Sequence, residues 1–149
     1  MSYTQLLYHI VLCTYRRKPT LCQEHERDLY AYIYGMCRNR NVTVYRIGGM
    51  PDHVHLLVGL PSTLSVAKFV QSIKSVTSMW MNNNPRFPKF TYWSKEYAAF
   101  SCSQSVRDTI VNYIRNQKKH HSKQTFEEEY RKVIEENGVH IDDEFFLRD

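Results

Sequence analysis

The sequence predicts an α+β protein built on one antiparallel sheet, and three observations lead to this prediction. A segment near the N-terminus is apolar on both alternations, two later segments carry apolar residues at helical spacing, and a glycine-containing hairpin lies between them. The elements follow in the order strand, helix, strand, strand, helix, strand. This order is typical of a ferredoxin-like (RRM-like) fold with its helices on one face of the sheet.

The chain opens with a strand and a helix. Residues 5–15 (QLLYHIVLCTY) are apolar on both alternations, as expected of a central strand that is covered on both faces. A basic stretch with a proline, residues 16–19, ends this strand. From residue 22 to about residue 39, apolar side chains recur at helical spacing, which predicts a helix.

The hairpin carries an unusual pair of histidines. Residues 42–47 form its first arm, and two glycines lead into the second arm, residues 53–60. Because side chains alternate along a strand, His53 and His55 point to the same face. Asp52 immediately precedes them. The hairpin therefore presents two neighbouring imidazoles.

The second half of the core is a helix and a last strand. Residues 65–80 have an apolar stripe and a polar outer face that includes Lys68 and Lys74, which predicts an amphipathic helix. After a loop with two prolines, residues 91–102 predict a short final strand, broken near Ser94 and Lys95.

Two further helices complete the chain. The first is predicted over residues 104–121 with Ser103 as its cap, and the second over residues 126–137. Thr125 and a glutamate three residues later form a capping box, and Gly138 ends the second helix. The tail contains an apolar cluster, Phe145, Phe146 and Leu147, which predicts that the tail packs against a protein surface. A second subunit is one candidate for that surface.

Composition narrows the class of protein. The 149 residues carry a net charge of +5, and the acidic residues concentrate near the C-terminus, so residues 1–124 favour a polyanionic partner. No apolar run is long enough to span a membrane and no signal peptide is evident, so we expect a cytoplasmic protein. Four cysteines without CxxC spacing indicate reduced core residues.

The predicted tyrosine helix supplies a second group of polar side chains. Tyr113 and Gln117 are four residues apart and so share one face. A tyrosine on an apolar helical stripe usually packs in the core. Together with His53 and His55, however, the Gln117 amide oxygen would complete a three-ligand metal site that polarises a phosphoryl oxygen. Tyr113 would then be a suitable nucleophile.

With the strand DHVHLLV, the helix YIRNQ and the first strand YHIVLCTYRRKP, the chain resembles the single-tyrosine HUH transposases of bacterial and archaeal insertion sequences. HUH denotes His, hydrophobe, His. The resemblance implies that His53, His55 and Gln117 bind a divalent metal, Mg²⁺ or Mn²⁺. It also implies that Tyr113 is the catalytic nucleophile. Because imidazole suits Mg²⁺ poorly, we expect weak metal binding until the scissile phosphate adds oxygen ligands.

The same resemblance implies a reaction and an assembly. Members of the family cut single-stranded DNA at element ends through a 5′-phosphotyrosine intermediate and rejoin the strands. They recognise DNA hairpins and act as intertwined homodimers, in which the tyrosine helix often completes the partner's site. It further implies one HUH transposase domain, 1–149, with a catalytic core over 1–124 and a C-terminal helix and tail over 125–149.

DNA contacts are predicted from basic residues outside the metal site. Basic side chains contact phosphates, and an exposed aromatic residue such as Phe87 stacks on bases, whereas Trp93 and Phe100 pack inside. The predicted phosphate contacts are Lys68, Lys74, Arg86, Lys89 and Lys118.

Two alternatives remain open. One is a domesticated tyrosine endonuclease that processes repeated palindromes, although Gln117 favours the insertion-sequence type. The other is a non-catalytic nucleic-acid-binding module on the same fold, whose binding would survive Tyr113→Phe and need no metal. Among the other histidines, we expect His120 and His121 at a solvated helix end, and a structural role for His9 and His25.

Overall fold

A computed structural model describes residues 2–149 and confirms the predicted α+β class. Four antiparallel strands pair in the order β2-β3-β1-β4. The strands are β1 (Leu7–Thr14), β2 (Thr43–Met50), β3 (His53–Gly59) and β4 (Trp93–Cys102). The α-helices are α1 (Glu26–Asn39), α2 (Val66–Asn82), α3 (Arg107–Arg115), α4 (Gln117–His120) and α5 (Phe126–Glu136).

One face of the sheet is covered by α1 and α2. Its strand residues include Ile10 on β1 and Val54, Leu56 and Val58 on β3, which share one cluster with apolar side chains of both helices. Alternation along β3 therefore places these residues as the sequence predicts. This helix-covered face forms the larger of the two apolar cores.

The opposite face of the sheet carries the histidines and is covered by the C-terminal helices. Val11 and Cys13 of β1 pair with His55 and His53 across the ladder, so all four share this face. Phe126 and other apolar residues of α5 pack against it in a second cluster. We refer to it as the histidine face.

The predicted break in the last strand is a bulge within a continuous β4. Leu12 pairs with Tyr97 and Thr14 with Trp93, so Ser94 to Glu96 lie opposite Cys13 alone. The Lys74 ammonium donates to the three carbonyl oxygens of this bulge, at 2.8 to 3.5 Å.

The C-terminal helices differ in part from prediction. The helix expected over residues 104–121 is a 3-10 turn followed by α3 and α4, which are separated at Asn116, where φ is −95° and ψ is 20°. Ser103 does not cap it, because its hydroxyl bonds Ser105 instead. Thr125 does cap α5, accepting from the Glu128 amide at 3.2 Å, and Gly138 follows the helix with a φ of 74°.

The C-terminal tail packs on its own chain. Phe146 stacks on Tyr130 of α5, with ring centroids 5.7 Å apart. Asp149 accepts hydrogen bonds from the Ser94 hydroxyl and from Arg17, at 2.6 and 3.2 Å. Within residues 2–149, no helix combines the length and apolar character required to cross a bilayer.

Candidate metal and nucleophile site

The histidine pair is buried and each ring is oriented by a neighbour. His53 and His55 are 0% and 1% exposed. The Asp52 carboxylate lies 2.7 Å from His53 Nδ1, and His9 Nε2 lies 2.8 Å from His55 Nδ1. Hydrogen bonds at Nδ1 leave the Nε2 atoms of both rings directed at the space under α3 and α5.

A glycine allows the tyrosine helix to approach these rings. A Cβ atom added at Gly48 would lie only 2.8 Å from the Ile114 carbonyl oxygen, so β2 and α3 are in close contact at this point. On the neighbouring turns, Tyr113 and Gln117 are directed toward the histidines. The Gln117 side-chain oxygen is 2.9 Å from His53 Nε2.

Glu129 occupies the centre of the cluster, and the sequence analysis did not identify it. It projects from α5 and is 0% exposed. Its Oε1 atom lies 3.1 Å from His55 Nε2 and 3.3 Å from His53 Nε2. Its Oε2 atom accepts from the Tyr113 hydroxyl, and from the Gln117 amide at 2.7 Å. One carboxylate thus contacts all four predicted site residues.

A signal for Glu129 exists in the sequence. It lies three residues after Phe126 and four before Val133, both of which are buried in the second cluster. A charged residue on the apolar stripe of a helix is buried, and a buried charge requires polar partners. By composition alone, Glu129 counts with its exposed neighbours Glu127 and Glu128 among the acidic residues near the C-terminus.

The ionisation of the cluster follows from these contacts. Burial alone would lower the pKa of His53, but hydrogen bonds with Asp52 and Glu129 raise it to about 9. Burial likewise opposes ionisation of Glu129, yet hydrogen bonds from His121 and His53 hold the pKa of its carboxyl well below its usual range. Burial and the Glu129 charge raise the pKa of Tyr113 above its usual value.

The other histidines are closer to the site than expected. His121 does not lie on a solvated helix end, because its Nε2 atom is 2.9 Å from Glu129 Oε1. The His120 ring is 4.9 Å from the Tyr113 ring, centroid to centroid. His9 contacts His55 directly, and burial together with His55 lowers the pKa of His9 to about 3. It is therefore neutral and can orient His55.

The predicted DNA contacts lie outside this cluster. Lys68 and Lys89 are exposed. Arg86 pairs with Asp28 at 2.6 Å, and Lys118 pairs with Glu26 at 2.8 Å. Lys74 is occupied by the carbonyl groups of the β4 bulge.

The prediction for Phe87 was wrong, since it is 2% exposed and packs near Trp80 in the larger core. Trp93 and Phe100 are buried as predicted. An interior Phe87 cannot stack on bases without exposing that core.

The donor set fits a divalent metal ion. Single donor atoms of His53, His55 and Glu129 lie within 4.8 Å of one another. Two imidazole nitrogens with a carboxylate oxygen suit Mn²⁺ and related ions. These three residues form a possible metal site, and the Tyr113 hydroxyl adjoins it.

Comparison with known proteins identifies the family. Residues 2–117, which include both histidines, Tyr113 and Gln117, match the family described as "Transposase IS200 like". The chain belongs to this transposase family. Membership implies DNA cleavage and strand transfer as the class of activity.

Individual relatives agree with the family. The chain is 27% identical over 117 residues to the transposase of insertion sequence element IS200 from Salmonella typhimurium, covering 74% of this chain and 75% of that protein. A crystallised transposase candidate from Deinococcus radiodurans shares the fold with a TM-score of 0.60 and 24% identity, covering 78% of this chain and 93% of the other.

A tyrosine transposase solved with a REP hairpin also shares the fold. Its TM-score is 0.59 at 15% identity, and the match covers 78% of this chain and 68% of that protein. At this identity the likeness concerns the fold alone.

Proposed function

We propose that this transposase cleaves and rejoins single-stranded DNA at insertion-sequence ends through a 5′-phosphotyrosine bond on Tyr113. The observation that carries the proposal is the convergence of the Tyr113 hydroxyl, the Gln117 amide and two histidine Nε2 atoms around one buried carboxylate. Such a group combines a nucleophile with donors for a divalent cation.

His53, His55 and Gln117 would hold Mg²⁺ or Mn²⁺ in this proposal. The bound ion would polarise the phosphoryl oxygen and offset the charge that develops on it. Asp52 and His9 orient the two imidazoles through their Nδ1 atoms.

The nucleophilic step uses the Tyr113 oxygen. It forms a bond to phosphorus while the bond from phosphorus to the 3′ oxygen breaks, and that oxygen takes up a proton from solvent and leaves as a 3′-hydroxyl. Glu129 accepts the hydrogen bond of the Tyr113 hydroxyl and holds it in position, but the lowered pKa of its carboxyl makes it a weak base, so the Tyr113 proton passes to solvent as the bond to phosphorus forms. Rejoining reverses the step, when a 3′-hydroxyl attacks the phosphotyrosine and releases Tyr113.

DNA binding in this proposal uses hairpins at the element ends. A structural relative is described as bound to a REP hairpin. Exposed Lys68 and Lys89 are free to contact phosphates, whereas Arg86 and Lys118 would exchange their carboxylate partners for phosphates. Lys74 would have to leave the β4 carbonyls, so we rank it last.

The decisive experiment is a covalent-adduct assay. The protein is mixed with Mn²⁺ and labelled single-stranded DNA carrying the flanks of its own gene, then run on a denaturing gel. The wild type and Tyr97→Phe, a change at a surface tyrosine, should give a shifted band, and Tyr113→Phe should not. An adduct retained in Tyr113→Phe would reject this nucleophile.

The assay also separates the alternatives. Metal-independent DNA binding that is equal in wild type and Tyr113→Phe, without an adduct in either, would favour the non-catalytic binding module. A domesticated endonuclease would instead cleave repeated palindromes and give no adduct with inverted element ends.

We further propose a homodimer. The structure brings Tyr113 to the histidines of its own chain, whereas exchange of tyrosine helices between subunits would pair it with the partner's histidines. Mixing His53→Ala with Tyr113→Phe distinguishes these arrangements, because exchange predicts that the mixture regains adduct formation. A monomeric mass at micromolar concentration would contradict the dimer.

A further inference from the structure

Two acceptor atoms converge on His53 Nε2. The Asp52 carboxylate accepts a hydrogen bond from His53 Nδ1 at 2.7 Å, so Nε2 is the ring atom directed into the cluster. Gln117 donates its amide to Glu129 Oε2, so its carbonyl oxygen must face His53 Nε2, at 2.9 Å.

Glu129 adds the second acceptor at the same point. Its Oε1 atom is 3.3 Å from His53 Nε2 and 3.1 Å from His55 Nε2. The amide oxygen and the carboxylate oxygen lie beside the same imidazole nitrogen, so a cation at this point, either a proton on His53 or a metal ion, offsets their repulsion. A proton on His53 satisfies one contact at a time, whereas a divalent ion satisfies all of them.

We propose that Glu129 is a fourth protein ligand of the divalent metal, alongside His53, His55 and Gln117, and that its second oxygen holds the Tyr113 hydroxyl. The inference rests on the metal site of the proposed function and extends it. One carboxylate then links the cation to the nucleophile, so that binding the ion also positions Tyr113.

The chemistry of this donor set differs from that of two histidines and one amide. A carboxylate contributes a full negative charge and a hard oxygen, both of which favour Mn²⁺ and Mg²⁺. The metal would therefore bind before DNA. Two histidines and one amide alone were expected to bind the metal weakly until the scissile phosphate added oxygen ligands. With Glu129 as a ligand, the protein itself supplies the charged oxygen.

Burial distinguishes Glu129 from the rest of its helix. Glu127 and Glu128 on the preceding positions are exposed. A carboxylate that is 0% exposed carries a large desolvation cost unless charges compensate it. His53 and His121 provide part of that compensation, and a divalent ion among the same atoms would add to it.

Metal affinity of the DNA-free protein tests the assignment. Metal-stripped wild type, Glu129→Gln and Glu127→Gln are titrated with Mn²⁺ alone, and free Mn²⁺ is followed by electron paramagnetic resonance. We expect Glu129→Gln to weaken the Kd at least about tenfold, as loss of a site residue generally does, with Glu127→Gln unchanged. A Kd for Glu129→Gln within about threefold of wild type would overturn the proposal.

A second measurement avoids the risk that the variant folds poorly. Wild-type crystals soaked in Mn²⁺ should show an anomalous peak about 2.0–2.2 Å from a Glu129 oxygen, the usual range for a carboxylate ligand. A peak held by the two histidines with Glu129 turned away would overturn the assignment.

The two proposals fail separately. Tyr113→Phe should lose the DNA adduct and keep Mn²⁺ affinity. If the wild type forms no adduct but its Mn²⁺ affinity depends on Glu129, the ligand assignment holds and the proposed reaction fails. Adduct formation with a Kd indifferent to Glu129 would reject only the ligand assignment.

Discussion

The two faces of the sheet have different roles. On the helix-covered face, Leu56 and Val58 lie among apolar side chains of α1 and α2, where volume and shape decide stability. On the histidine face, His53 and His55 lie one residue away along the same strand, where donor geometry decides function. Because side chains alternate along β3, residues of the apolar core and residues of the candidate site lie next to each other on a single strand.

Replacing a histidine should cause the largest functional loss. We expect His53→Ala to abolish adduct formation, because it removes the imidazole that contacts both Gln117 and Glu129. Circular dichroism should show a folded protein. An adduct yield within tenfold of wild type would show that the histidine face does not carry the chemistry.

Replacing a leucine on the other face should have the opposite profile. Leu56→Ala leaves a cavity in the larger core and should lower the free energy of unfolding by about 2–5 kcal/mol. Below its melting temperature, the folded fraction should form adducts at the wild-type rate. A slower reaction per folded molecule would mean that the two faces are coupled.

The contact between β2 and α3 should link stability to function. Gly48→Ala forces a Cβ against the Ile114 carbonyl, so we expect a loss of about 1–3 kcal/mol and slower adduct formation. Gly35→Ala in α1 is the matched control, because its Cβ meets nothing within 4 Å and should stabilise the helix by about 0.5–1 kcal/mol. Equal adduct rates in both variants would contradict a positioning role for Gly48.

The cap of α5 should have a smaller effect. Thr125→Ala removes the acceptor for the Glu128 amide and should cost about 1 kcal/mol, with faster hydrogen exchange in the first turn of α5. Ser103→Ala should change stability by less than about 0.5 kcal/mol, because Ser103 caps no helix. Unchanged exchange near Glu129 in Thr125→Ala would show that the cap does not hold that carboxylate in place.

The smallest effect is expected at the surface. Lys118→Ala breaks an ion pair with Glu26 that is partly exposed, and should change the free energy of unfolding by about 0–1 kcal/mol. If Lys118 contacts a phosphate, the slope of the logarithm of the DNA-binding constant against the logarithm of salt concentration should become smaller in magnitude by about one in Lys118→Ala. An unchanged slope would remove Lys118 from the DNA surface.

Sequence reasoning succeeded where the relevant signal is local. The HxH alternation within β3 fixes a shared face without knowledge of the fold. The four-residue spacing of Tyr113 and Gln117 predicts that their side chains converge, and both reach Glu129 although Asn116 separates α3 from α4. The Thr125 cap and the stop at Gly138 are local for the same reason, and the structure has both.

Sequence reasoning failed where distant segments meet. Glu129 reaches His55 across 74 residues of chain, and only the packing of α5 on the sheet brings them together. Phe87 lies in a loop with two prolines that suggests exposure, yet the loop folds back onto Trp80. Periodicity carries no information about either contact.

The bulge in β4 affects how the sheet meets other chains. An extra strand would add to the edge by donating amides to its carbonyl oxygens, but Lys74 already binds those of Ser94, Lys95 and Glu96. This stretch of the edge is therefore a poor template for intermolecular β-aggregation. Loss of the lysine ammonium would leave these carbonyl oxygens without that donor.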